Sequence, residues 1–123
     1  MNVLIIEDEP LVAFDIETIV VDGGHKPLGP ASTLEKALAL APRADIAFVD
    51  LGLADGSNGP QVARRLIDRF GITVIFVTGN PEKVQQGFDG AFAVVGKPFS
   101  PDRLSELLVS AADSRLGSIH LTH

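Results

Sequence analysis

The stretch that decides the fold is Ala44-Asp45-Ile46-Ala47-Phe48-Val49-Asp50-Leu51-Gly52-Leu53. Ile46 to Val49 is an unbroken apolar run with β-branched and aromatic members, the pattern of a strand buried on both faces. The run ends in one carboxylate, Asp50, followed by a loop holding Gly52, Asp55, Gly56, Ser57, Asn58 and Gly59. Parallel sheets present their ligand sites at the carboxyl ends of their strands. Asp50 is therefore a candidate for chemistry, although an isolated strand-end Asp more often caps a turn. What decides is whether other strands end in the same way.

They do. Apolar runs alternate with segments of helical period on both sides of this stretch, the βαβ signature. Strands are expected at 3–6, 25–29, 46–49, 74–77 and 92–95. The second contains Pro27 and is polar, so it belongs at a sheet edge. Helices are expected from Pro10 to Asp22, from just after Ser32 to about Ala41, from Gly59 to Phe70, from Pro81 to Gly87 and from Pro101 onward. Their inward stripes are Val12, Ile16, Ile19 and Val20; Leu34, Leu38 and Ala41; Val62, Leu66 and Phe70; and Leu104, Leu107, Leu108 and Ala111. Ser32 with Glu35 reads as a capping box, and Ser100 caps the last helix. The fourth helix is short and polar, with little surface to hold it down. Right-handed crossovers then place helices on both faces. The expected fold is α/β, a doubly wound five-stranded parallel sheet of order 2-1-3-4-5, with its site above the first and third strands.

A chain of 123 residues suits one domain, here 1–115, leaving a tail at 116–123 without an evident place and no effector domain after it. There is no cysteine, so disulfides, thiolate nucleophiles and cysteine metal sites are excluded. Formal net charge is −6 with no strongly basic segment, which disfavours a grip on nucleic acid. No apolar run approaches the roughly 18 residues needed to span a membrane. A cytoplasmic location is expected. His25 is read as an exposed edge residue, and His120 and His123 as uninformative.

Four strands deliver polar groups to one edge: Glu7 and Asp8, Asp50, Thr78, and Lys97. Three carboxylates in one pocket repel and raise one another's pKa values. A small divalent cation relieves that crowding, and carboxylates with a backbone carbonyl and waters suit Mg²⁺, for which Mn²⁺ could substitute. A carboxylate can also act as a nucleophile and form an acyl phosphate. Phosphoryl transfer asks chiefly for charge neutralisation on the phosphoryl oxygens. A metal, the Lys97 ammonium and the Thr78 hydroxyl would supply three such contacts. Taken singly each residue has a bland reading: a solvated lysine, a strand-end threonine, an acidic first turn facing a helix dipole.

The motifs Leu4-Ile5-Ile6-Glu7-Asp8-Glu9-Pro10, Val49-Asp50-Leu51-Gly52-Leu53-Ala54-Asp55-Gly56, Phe76-Val77-Thr78-Gly79 and Lys97-Pro98-Phe99 resemble, as a set, those of the response-regulator receiver domains of two-component signalling, the fold of the chemotaxis regulator CheY. The resemblance covers residues 2 to about 115. It implies that Asp50 accepts a phosphoryl group from the phosphohistidine of a sensor histidine kinase. It implies that Glu7, Asp8, Asp50 and the backbone carbonyl of Gly52 hold Mg²⁺, and that Thr78 and Lys97 contact the phosphoryl oxygens. It also implies a cis bond between Lys97 and Pro98. Where the family usually carries a switch aromatic, three residues before the lysine, this chain has Val94. The run Phe76-Val77-Thr78-Gly79-Asn80 further resembles the FATGUY receivers, often stand-alone domains paired with HWE/HisKA2-type kinases. Signalling would then pass to an unknown downstream protein by contact, from a monomer or a weak dimer through the fourth helix, fifth strand and fifth helix.

Three other readings compete. A phosphatase of the haloacid-dehalogenase type needs a second Asp two residues after the first, where this chain has Gly52. A flavodoxin-like carrier needs a Ser/Thr-rich phosphate loop after the first strand, where this chain has acids. A degenerate receiver that only binds partners is disfavoured by the intact acids, Thr78 and Lys97.

Overall fold

Five apolar runs pair into one parallel sheet in the order β2-β1-β3-β4-β5. The computed structural model describes residues 1–52, 56, 59–85 and 88–121, and the side chains of these except 85 and 118–121. The elements are β1 (Asn2–Ile6), α1 (Pro10–Asp22), β2 (Lys26–Ala31), α2 (Leu34–Leu40), a 3-10 turn (Ala41–Arg43), β3 (Ile46–Val49), α3 (Gly59–Phe70), β4 (Thr73–Thr78), α4 (Pro81–Gln85), β5 (Ala93–Gly96) and α5 (Pro101–Leu121). The expected fold class and strand order are what the chain adopts. Asp55, Ser57 and Asn58, the expected end of the fourth helix at Gly87, and His123 lie outside the described residues.

The period of two along each strand sorts side chains onto two faces. Val3, Ile5, Phe48, Ile75 and Val77 pack with α1 and α5. Leu4, Ile6, Val49 and Phe76 face the other way and pack with α2, α3 and Val84 of α4. Both sets are almost wholly shielded from solvent. β3, and β1 and β4 beyond their first residues, are thus buried on both faces, which is why they read as continuous apolar runs.

Several local expectations are corrected. β2 is an edge strand as expected, but it runs to Ala31, and its register with β1 shifts between Leu4 and Ile6. That lengthening moves the start of α2 to Leu34, so the cap is Thr33 and not Ser32. The Thr33 hydroxyl accepts from Lys36 N at 3.2 Å. Phe70 is not inward but 37% exposed, because Gly71 turns the chain and Ile72 takes the buried place. His25 is half-buried, with Nδ1 3.1 Å from the N-terminal nitrogen, so it is not a free edge residue. The expected tail from Leu116 is helical to Leu121. Arg115 anchors this last stretch by donating to Gly71 O at 2.9 Å and Thr73 Oγ1 at 3.0 Å. The Lys97-Pro98 bond is cis, as is Gly29-Pro30.

Candidate functional site

The sheet's hydrogen-bond ladder continues one step beyond the strand ends and fixes the polar residues there. Glu7 N donates to Ala31 O at 3.0 Å, Asp50 N to Ile6 O at 3.0 Å, and Lys97 N to Thr78 O at 2.7 Å. The backbones of Glu7, Asp50 and Lys97 are therefore each held by a neighbouring strand. From the α3 side, Gly59 closes on the same place. A Cβ at Gly59 would fall on the Asp50 carbonyl oxygen and within 2.9 Å of Leu51 Cα. Glycine is required there by close approach of backbone to backbone.

Glu7, Asp8 and Asp50 can each point one carboxylate oxygen into a cluster no wider than 4.8 Å. Lys97 closes that cluster. Its Nζ lies 2.9 Å from Glu7 Oε1, 3.3 Å from Glu9 Oε1 and 3.5 Å from Asp50 Oδ1. Asp50 Oδ1 also accepts from Leu51 N at 2.8 Å, and Glu7 Oε2 accepts from Glu9 N at 3.2 Å. Glu7 is the most buried member, with Asp50 partly exposed and Asp8 exposed. One ammonium thus faces three carboxylates, Glu7, Glu9 and Asp50.

Glu9, read from sequence only as part of an acidic first turn, joins the site through Lys97. The acidic run Glu7-Asp8-Glu9 was the available signal. Its pairing with a lysine 88 positions away was not legible. Thr78 is buried beside Lys97 through the shared backbone bond, and its Oγ1 accepts from Asn80 N at 3.0 Å. Gly52 lies two residues past Asp50 and is exposed.

Burial pushes the Glu7 carboxyl up to about 7 from its ordinary 4.5. The Asp50 charge pushes the same way, against the Lys97 ammonium and the Glu9 N–H. For Lys97, burial favours the neutral amine, but Glu7, Asp50 and Glu9 outweigh it and hold the ammonium above its ordinary value.

A hard divalent cation fits this donor set. Three carboxylates converge, and Glu7 Oε1 is buried yet finds no hydrogen bond among the described residues. Its one close partner is the Lys97 ammonium, an ion pair at 2.9 Å. A buried carboxylate oxygen held only by that ion pair, beside two other acids, keeps lone pairs free for an oxygen-ligated cation such as Mg²⁺.

A family model described as the response regulator receiver domain matches residues 3–109. The chain is similar to the phyllosphere-induced regulator PhyR of Methylorubrum extorquens, at 39% identity over 115 residues, covering 89% of this chain and 43% of that protein. It is similar to the solved response regulator PhyR from Brucella abortus, with a TM-score of 0.88 and 36% identity over 99% of this chain and 51% of the other. It is also similar to the receiver domain of the Erythrobacter litoralis PhyR response regulator, with a TM-score of 0.83 and 33% identity over 90% of this chain and 88% of that one. The chain thus spans 43% of the curated relative's length and about half of the Brucella protein.

Proposed function

The chain belongs to the response-regulator receiver family, and on that premise we propose that Asp50 accepts a phosphoryl group from the phosphohistidine of a sensor histidine kinase. Members of this family are regulatory phosphoacceptors in two-component signalling, not enzymes acting on external substrates. That removes the phosphatase reading, which already lacked its second Asp at Gly52. The observation that carries the proposal is the convergence of Glu7, Asp8, Asp50 and Lys97 on one sheet edge.

In the proposed transfer an Asp50 carboxylate oxygen attacks phosphorus as the phosphorus–imidazole nitrogen bond of the donor breaks, leaving an acyl phosphate and a free histidine. Partial exposure of Asp50 leaves it open to the donor. Glu7, Asp8, Asp50 and the Gly52 carbonyl would hold Mg²⁺. Receiver domains generally bind this ion at their acidic pocket, and it supplies charge neutralisation to the phosphoryl oxygens. The Lys97 ammonium, already 3.5 Å from Asp50, follows the new dianion by charge-assisted bonding. The Thr78 hydroxyl, whose oxygen accepts from Asn80 N, has its own O–H to donate to a phosphoryl oxygen.

The motif Phe76-Val77-Thr78-Gly79 supports a FATGUY-type receiver paired with an HWE/HisKA2-type kinase. The output would be contact with a downstream protein. Among the described residues no helix is long and apolar enough to cross a membrane, in keeping with a proposed cytoplasmic setting.

Intact-mass measurement after incubation with acetyl phosphate and Mg²⁺ tests this. Wild type gains one phosphoryl group and Asp50→Asn gains none. A gain that persists in Asp50→Asn, or release of nitrophenol from p-nitrophenyl phosphate at enzymatic rates, would overturn it.

A further inference from the structure

Glu9 sits at a junction that its residue type does not suit. It is the N-cap of α1, with Pro10 following, and its side chain makes no cap hydrogen bond. Ser, Thr, Asp or Asn is preferred there, because a short side chain reaches the free amides of the first turn. Glu9 is placed by its backbone instead. Its N–H donates to Glu7 Oε2 at 3.2 Å, and its carbonyl accepts from Ala13 N at 3.0 Å to open the helix. The side chain is left to run back across the site, where Oε1 accepts from Lys97 Nζ at 3.3 Å. The carboxylate forgoes the cap for a lysine at the far end of the chain.

That lysine is shared. Its ammonium is also 2.9 Å from Glu7 Oε1 and 3.5 Å from Asp50 Oδ1. Glu7 and Asp50 belong, with Asp8, to the cluster of acids that fits a divalent cation, and among the described residues Glu9 lies outside that cluster. Two cations thus ask for the same carboxylates. Glu7 Oε2 already accepts from the Glu9 amide, and the ammonium stands at the other oxygen. Like charges at one carboxylate repel. The lysine head rides on a flexible four-carbon stem, so it is the group that yields. Of the three carboxylates it touches, Glu9 is the one that the cluster leaves over. The Glu9 side chain is also 63% exposed, so the pair it makes with Lys97 stays hydrated, whereas Glu7 is buried.

We propose that Glu9 is a positioning residue that draws the Lys97 ammonium off the metal-binding carboxylates, so that a divalent cation and the ammonium occupy the site together. The inference rests on the reading of Glu7, Asp8 and Asp50 as the Mg²⁺ site, and it requires no phosphoryl group. It asks for no movement of the backbone. Lys97 N stays on Thr78 O and Glu9 N on Glu7, and the end of one side chain shifts among partners it already meets. Without Glu9, Mg²⁺ either drives the ammonium into water or binds beside it, and both weaken the ion's hold.

Calorimetric titration with Mg²⁺ alone, in about 0.15 M KCl to screen exposed charges, tests this on wild type, Glu9→Gln, Lys97→Met and the double variant. Such a cycle isolates what passes between the two side chains. With Lys97 present, Glu9→Gln weakens Mg²⁺ binding roughly threefold, the size of one exposed ion pair. In the Lys97→Met background the same change alters it by less than about 1.5-fold, since the remaining charge is screened. Acylation of Lys97 by a succinimidyl ester, read by peptide mass, needs no Lys97 variant to fold. It is faster in Glu9→Gln than in wild type with Mg²⁺ present, and alike in the two without it. The proposal is overturned if Glu9→Gln binds Mg²⁺ as wild type does, if the loss is the same in both backgrounds, or if acylation does not separate the two proteins in Mg²⁺. Absence of Mg²⁺ binding by wild type would overturn the metal site itself and this proposal with it, whereas the other outcomes leave the metal site standing.

Discussion

Glu7 and Lys97 form the most consequential pair of side chains in the molecule. Glu7 is buried and titrates near 7, above its ordinary 4.5, so the folded chain holds a proton there that the unfolded chain has released. Between these values the folded state binds more protons, and stability falls as pH rises. The contribution is fully present below about 4.5 and is lost as pH passes through about 7. Thermal melts in EDTA should therefore show a falling midpoint from pH 5 to pH 8, a loss on the order of 3 kcal/mol. Glu7→Gln should flatten that slope, and an unchanged slope would show that another group sets it. Mg²⁺ should reverse the trend, since metal binding requires the carboxylate that alkaline pH supplies.

At the scale of elements, the start of α3 is fixed by absence of a side chain. Gly59→Ala places a methyl group on the Asp50 carbonyl, so α3 and the end of β3 must separate. A loss of about 1–3 kcal/mol is expected in urea unfolding, together with slower phosphorylation by acetyl phosphate. Wild-type values for both would mean that the junction yields freely. The same element shows how far the sequence could be read. Gly59 was legible as a loop glycine but not as a contact with Asp50, because only the assembled backbone brings them together. Continuous apolar runs at 46–49 and 74–77 announced β3 and β4 because burial on both faces leaves no polar position to confuse the pattern. Glu7, Asp8, Asp50, Thr78 and Lys97 were legible because a parallel sheet gathers its strand ends. Glu9 with Lys97 was not, since such a pair joins distant parts of the chain and carries no local period. The extension of α5 escaped for a related reason. Its anchor, Arg115, binds Gly71 and Thr73 at the opposite end of the sheet.

At the scale of the whole molecule, Arg115 ties the last helix to the start of β4, far in sequence from the acids. Arg115→Ala should lower stability by about 1–2 kcal/mol through two lost hydrogen bonds, while phosphorylation of Asp50 proceeds as in wild type. Equilibrium unfolding paired with intact-mass analysis checks both halves, and impaired phosphorylation would show that the base of the fold and its site are not independent. The site itself carries a mechanical constraint. The Lys97 amide donates to the Thr78 carbonyl at 2.7 Å, so the ammonium and the hydroxyl spring from backbones joined across β4 and the end of β5. The backbones that carry the two groups are thus anchored to each other before any phosphoryl group arrives, and a substitution that spoils this one bond misplaces both of them relative to Asp50.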